Sequence, residues 1–239
     1  MDTRSQGLSP APFPDIAGAP AVRVNAFLTA AYGWMALGLG ITAAVAWYVA
    51  ANPALVNAIA ANRAIFWVLF IAQLGIVFTM SARVSRMASS TASLLFVLYS
   101  ALTGVVLSFI LLLYTGESVA TTFVVTAGTF GAMSLYGATT RRDLTGFGQF
   151  LFMGLVGVVL ASIVGMFWHS DGLQFVLSVI GILVFTGLAA YDAQRLKTMA
   201  LAAPEGQVAT LAVLGALTLY LDFVNLFLFL LRFTGNRRR

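Results

Sequence analysis

Charged residues in this chain are placed so that they leave seven long windows without one: 24–62, 64–82, 87–116, 118–140, 144–170, 172–191 and 206–221. A helix needs about 20 mostly apolar residues to cross the hydrocarbon of a bilayer. Six of the windows reach about that length. The last is cut short only by Asp222, and carrying it on to Leu231 completes a seventh span. Hydrocarbon offers no partner to a backbone amide, so spans of this length must be helical. Hydrophobic residues make up 60% of the 239 and charged residues only 9%, where soluble chains carry nearer a quarter charged. The reading is an all-α, polytopic membrane protein with seven transmembrane helices.

The spans are placed at 25–50, 64–82, 88–114, 119–139, 147–168, 173–192 and 208–233. Turn-forming residues separate them: Asn52-Pro53, Tyr114-Thr-Gly-Glu117, Ser170-Asp-Gly172 and Ala203-Pro-Glu-Gly206. Residues 1–24 read as a polar, Pro-punctuated flexible arm with no cleavable signal, 25–235 as one transmembrane domain, and 236–239 as a basic tail. Glycines inside the spans (Gly33, Gly38, Gly40, Gly128, Gly131, Gly154 and Gly157) read as places where helices approach closely. There is no cysteine, hence no disulfide framework or thiolate chemistry. The single histidine, His169, reads as a polar loop residue. The net charge of +5 comes from cations scattered over loops, which is not a nucleic-acid pattern. Twelve of the thirteen cations are arginine, as in chains from GC-rich bacterial genomes.

Arginine and lysine counts orient the bundle. The N-terminal side holds Arg4, Arg23, Arg83, Arg86, Arg141, Arg142, Arg195 and Lys197; the other side holds Arg63, Arg232 and Arg237 to Arg239. The expectation is a cytoplasmic N-terminus in a bacterial inner membrane, with the terminal Arg run pulling against the outward C-terminus that seven spans imply.

Against this apolar background two acids stand out. Asp222 lies deep in the last span, where an unpaired carboxylate costs several kcal/mol, roughly, and marks a functional site by default. Gly215, Thr218, Asp222 and Asn225 recur at spacings of three and four, so they share one face of that helix. Asp192 ends the sixth window. Two placements are open for it: at the membrane interface, paired with Arg195 three residues on, or deeper and facing Asp222. In the second case two carboxyls in low dielectric would share a proton and titrate as a pair. Bound hard cations with oxygen ligands would favour the doubly ionised form. Arg83, which closes the second span on the same side as Asp192, is either a latch on the pair or a plain interfacial anchor.

At these residues the chain resembles the Bax-inhibitor motif (TMBIM) family of membrane proteins. The segments that carry the likeness are Phe185-Thr-Gly-Leu-Ala-Ala-Tyr191-Asp192-Ala-Gln194-Arg-Leu-Lys197 and Gly215-Ala-Leu-Thr-Leu-Tyr-Leu-Asp222-Phe-Val-Asn225-Leu-Phe227. Similar too are Met133-Ser-Leu-Tyr-Gly-Ala-Thr-Thr-Arg-Arg-Asp143-Leu-Thr and Phe78-Thr-Met-Ser-Ala-Arg83. The resemblance implies six helices around a central seventh and a calcium leak governed by a di-aspartyl pH sensor. Carried over, the sensor is Asp192 with Asp222, Arg83 is the latch, and Thr218, Asn225, Tyr191 and Arg195 support it. Calcium is then the transported ion, held in passing by Asp192 and Asp222, with no resident cofactor; the partners are the bilayer, calcium and protons.

Rival readings differ at particular residues. A proton-coupled cation transporter or a non-conducting scaffold would use the same two aspartates. An intramembrane aspartyl protease fits Tyr191-Asp192, but Leu219-Tyr-Leu-Asp222 has no glycines before its acid. A retinal protein needs a lysine within a helix, and Lys197, the only lysine, reads as a loop residue. A rhomboid-like serine protease needs a Ser/His pair in the membrane, which His169 is badly placed to supply. The expectation is a transport protein, not an enzyme.

Overall fold

The computed structural model describes residues 19–168, 170–204 and 206–238. His169, Arg4 and most of the expected N-terminal arm lie outside the described residues. The helices are α1 (Ala19–Ala50), α2 (Pro53–Ala61), α3 (Arg63–Arg83), α4 (Ser89–Leu113), α5 (Gly116–Thr139), α6 (Thr145–Phe167), α7 (Asp171–Ala202) and α8 (Val208–Thr234). Seven of them are long and apolar enough to cross a membrane.

Local chemistry sets the ends of these helices. Asn62 caps α3, its side chain accepting from the Ala64 amide at 3.0 Å. Thr115 does the same for α5 through Ser118, and Ser170 for α7 through Leu173. Before α6, Asp143 accepts from both the amide and the hydroxyl of Thr145, at 2.9 and 2.6 Å. Those bonds hold this exposed carboxyl below its ordinary pKa. Gly206 has φ +87°, the one positive φ among the described residues, in the turn from α7 to α8.

Four differences from the sequence-based spans have physical causes. The stretch after Asn52-Pro53 is a short helix, α2, with Pro53 at its first turn, where a missing N–H costs nothing. Helix α1 begins at Ala19, so residues 19–24 belong to it and not to the arm. Helix α7 continues past Asp192 to Ala202, because Gln194, Arg195, Leu196, Lys197 and Met199 all favour helix and only Pro204 stops it. Lys197 therefore sits on α7 and not in a loop, and it donates to the Ala138 carbonyl near the end of α5 at 2.5 Å. Lastly, most of the glycines expected at helix contacts face open space. Of that set only Gly38, against Phe96, and Gly154, against Val184, have a close neighbour.

Helix α8 is the axis of the bundle. Its most apolar stretch is 72% buried, against 11% for α3. Helices α1, α4, α5 and α7 pack on it, while α3 leans on α4 and α6 on α7. Helix α8 is thus central, with four helices packed directly on it and α3 and α6 added outside α4 and α7. Outward-facing Phe66, Phe78, Phe150, Met153 and Val164 remain exposed, as a lipid-facing surface requires. Exposed Trp47, Tyr48, Trp67 and Trp168 collect at the α1–α3 and α6–α7 turns, where amphipathic rings suit a headgroup layer.

Inside, one face of α8 makes a closed polar contact. The Tyr220 hydroxyl lies 2.5 Å from that of Thr42, which donates to the Ser100 carbonyl at 2.9 Å. Phe96 and Tyr99 meet the Tyr220 ring edge-on at 5.7 and 5.9 Å.

Helix α7 is locked to its other neighbours by contacts the sequence did not advertise. Gly137 of α5 lies so close to the Ala190 backbone that an added Cβ would strike its carbonyl oxygen. Gln194 clamps the α5–α6 connection, accepting from the Leu144 amide and donating to the Arg142 carbonyl, each at 2.8 Å. Arg23 of α1 donates to the Ala203 carbonyl at the end of α7.

Two predictions follow from this locking of α7. Gly137→Ala should destabilise the bundle by about 1–3 kcal/mol, since two backbones must separate to admit one methyl group. A lowered midpoint in detergent thermal denaturation checks it, with Gly131→Ala, which meets open space, as the unaffected control. Gln194→Leu leaves the part-buried Leu144 amide without its partner, at about 1 kcal/mol, while water reaches the exposed Arg142 carbonyl. Hydrogen exchange at the Leu144 amide should accelerate, with Gln194→Glu intermediate because it keeps the acceptor and loses the donor.

Candidate functional site

The site forms where α7 and α8 run antiparallel. Their approach depends on small residues: Gly181 lies under the Phe229 ring and Gly215 under the Leu196 side chain. Around Asp192, the α7 face of Gly181, Phe185, Leu188 and Ala189 is buried, as its spacing predicts. Tyr191 packs over Gly148 of α6, where any side chain would collide with the ring.

The extension of α7 decides the depth of Asp192. Ten residues separate it from Ala202 (202 − 192), or about 15 Å of helix at 1.5 Å per residue. Asp222 lies fourteen residues from Val208 (222 − 208), or about 21 Å. The two levels nearly match, and the carboxyl groups come within hydrogen-bonding reach of each other. Both are enclosed, at 6% and 5% exposure. Both partners considered for Asp192 are therefore present, because Arg195 Nη1 also lies 3.9 Å from Asp192 Oδ1. That ion pair is loose and its arginine is 59% exposed, so water screens much of the attraction. Asp222 Oδ2 is wholly enclosed and meets no N–H or hydroxyl donor among the described residues.

A cavity of about 600 Å³ opens beside the pair, lined by Tyr191, Asp192, Arg195, Thr218, Asp222 and Asn225 together with apolar residues of α6 and α7. Thr218, Asp222 and Asn225 of the α8 stripe line this cavity, while Gly215 meets Leu196. Thr218 and Asn225 each donate to the carbonyl four residues back, Leu214 at 3.3 Å and Leu221 at 2.8 Å. Thr218 Oγ1 and Asn225 Oδ1 can still accept hydrogen bonds, and Asn225 keeps a second N–H. Across the described residues no three His, Cys, Asp or Glu side chains cluster as a metal cage would need.

Arg83 stands apart. It ends α3, exposed, and lines a different cavity with Arg86, Thr79 and Thr91. Among the described residues its guanidinium makes no hydrogen bond or ion pair with either aspartate, and the cation beside the pair is Arg195. Sequence reasoning found the two acids, Thr218 and Asn225. It missed the opposite wall, Gly148 and Gln149 of α6, for which only the glycine gave a signal.

With this geometry in hand, comparison with known proteins places the chain. The family model described as "Inhibitor of apoptosis-promoting Bax1" matches residues 24–239. An Escherichia coli K12 protein named "Inner membrane protein YbhL" is 50% identical over 222 residues, 92% of this chain and 95% of that one. An uncharacterised protein of Borreliella burgdorferi is 45% identical over 216 residues, 90% of this chain and 93% of its own. An uncharacterised membrane protein of Streptococcus pyogenes serotype M1 is 38% identical over 219 residues, 90% and 94% of the two chains. The chain belongs to the Bax-inhibitor family of multi-pass membrane proteins, and the relatives named here are bacterial.

Proposed function

We propose that the protein is a passive, proton-modulated pathway for cations, calcium foremost, across a bacterial inner membrane, with its N-terminus in the cytoplasm. The observation that carries this reading is the contact between Asp192 and Asp222, two carboxyl groups enclosed within the spans at one wall of a cavity. A hydrogen bond between two carboxyls needs a proton between them, since two bare carboxylates at that range repel. Releasing that proton leaves two negative charges in low dielectric, which a hard divalent cation offsets best. Two carboxylates with Thr218 and Asn225 oxygens fall short of the six to eight oxygen ligands that hold calcium tightly. The set suits an ion in transit and not a resident one. This makes the aspartates the sensor, with no catalytic role. Arg83 would act as a latch only in a conformation that swings the end of α3 toward the pair.

Protein reconstituted in liposomes loaded with a calcium indicator should pass calcium at a rate that changes steeply with pH. Asp222→Asn should cut the flux by about tenfold, equivalent to about 1.4 kcal/mol, and flatten its pH response. Asp192→Asn should flatten the response too, because the shared proton needs both partners. Unchanged flux and pH response in both variants would overturn the reading. Saturable uptake that requires a proton gradient would point instead to a coupled transporter, and no flux at all to a scaffold.

A further inference from the structure

A second polar corner lies at the other end of α8, far from the acidic pair. Residues after Thr234 turn back and pair with the α4–α5 turn. The Thr115 amide donates to the Asn236 carbonyl at 3.0 Å, the Arg238 amide to Leu113 at 2.9 Å, and the Asn236 amide to the Ser118 hydroxyl at 2.9 Å. This antiparallel bridge fixes Arg237 over the Tyr114 ring, 6.0 Å from its centroid. Arg232, in the last turn of α8, lies 5.7 Å from the Phe229 centroid. Aromatic faces thus steady both guanidiniums without consuming their N–H donors.

Arg232 and Arg237 line one cavity of about 350 Å³, together with Gln174 and apolar side chains of α4 and α8. Neither has an acidic partner: the ion pair between Arg195 and Asp192 is the only one among the described residues. A lone cation at a helix C-terminus is ordinary, since it complements the dipole. Two forks converging on one cavity with a side-chain amide between them are the donor set for a phosphate. Arg232 and Gln174 also line a neighbouring cavity of about 580 Å³, whose other walls are largely apolar residues of α6, α7 and α8. Polar donors at the membrane end and a hydrocarbon-lined space behind them match the two halves of a phospholipid.

We propose that this corner is a binding site for one anionic phospholipid. Its phosphate sits on Arg232, Arg237 and Gln174, and one acyl chain lies in the apolar cavity. That cavity shares Asn225 and Phe185 with the acidic one, so the chain end reaches the rim of the aspartate site. The inference is independent of what the aspartates conduct.

Native mass spectrometry of the full-length protein, titrated with defined lipids from detergent, tests it. Phosphatidylglycerol should be retained as a single equivalent in preference to phosphatidylethanolamine. R232Q with R237Q should weaken that retention by about tenfold or more, since it removes two charge-assisted contacts. R141Q with R142Q removes the same charge at the opposite end and should leave it unchanged. V159W, which fills the apolar cavity, should also displace the lipid, and both sets of variants are compared as monodisperse protein. Glycerophosphoglycerol and inorganic phosphate, which lack acyl chains, should not compete. Equal retention by R232Q/R237Q and the parent, or no preference for the anionic lipid, would overturn the site. Full competition by inorganic phosphate would overturn the lipid in favour of a free anion.

Discussion

A carboxyl group in hydrocarbon is affordable only beside another polar group, and here that group is supplied by a second helix. The antiparallel contact of α7 and α8 therefore underlies the rest of the architecture. Gly181 beneath Phe229 and Gly215 beneath Leu196 let the two axes close in, which brings Asp192 to Asp222. Every other attachment of α7 holds it at that depth: Gln194 on the α5–α6 connection, Lys197 on Ala138, Gly137 against Ala190, Arg23 on Ala203. In lipid, apolar surface gives no net drive for helices to associate, so close packing and such hydrogen bonds must fix the register.

The two faces of α8 put similar atoms to different ends. Tyr220 and Asp222 are two residues apart and point to opposite sides of the helix. Tyr220 meets Thr42 in a contact whose hydrogen bonds close on themselves, with aromatic edges sealing it. Such a cluster pins α1 and α4 to the axis and needs nothing from outside. Asp222 presents an enclosed oxygen that meets no N–H or hydroxyl donor among the described residues, beside Asp192 and a cavity.

The spans were legible because charge spacing is a direct imprint of the bilayer on sequence: hydrocarbon excludes charge whatever the neighbours do. Asp222, Thr218 and Asn225 were legible for the same reason, as polar residues on one face of an otherwise apolar helix. The length of α7 was not. Asp192, Arg195 and Lys197 look like the end of a membrane segment, and hydropathy cannot tell a helix that ends from one that continues past the membrane boundary. Only helix propensity and Pro204 distinguished the two. Glycine was a poor guide as well. Gly33, Gly40, Gly128 and Gly131 meet open space, whereas Gly137 and Gly148 take very close contacts, and no local pattern separates the two sets. Close approach depends on which face of each helix meets another, and tertiary packing alone decides that.

The path of cavities along α8 joins these observations. The acidic cavity shares Asn225 and Phe185 with the apolar one, which shares Gln174 and Arg232 with the corner beneath the C-terminal bridge. Helices α3 and α6 do not close on α8 along this side, because they pack on α4 and α7 instead. The bundle therefore carries a seam running from its acidic pair toward the arginines at its far end. On the proposed function, a cation leaving the aspartates along that seam would meet apolar walls and then two guanidiniums, a barrier unless an anionic group offsets them. On the same reading, an anionic group proposed for the arginine corner would help set how easily a cation passes.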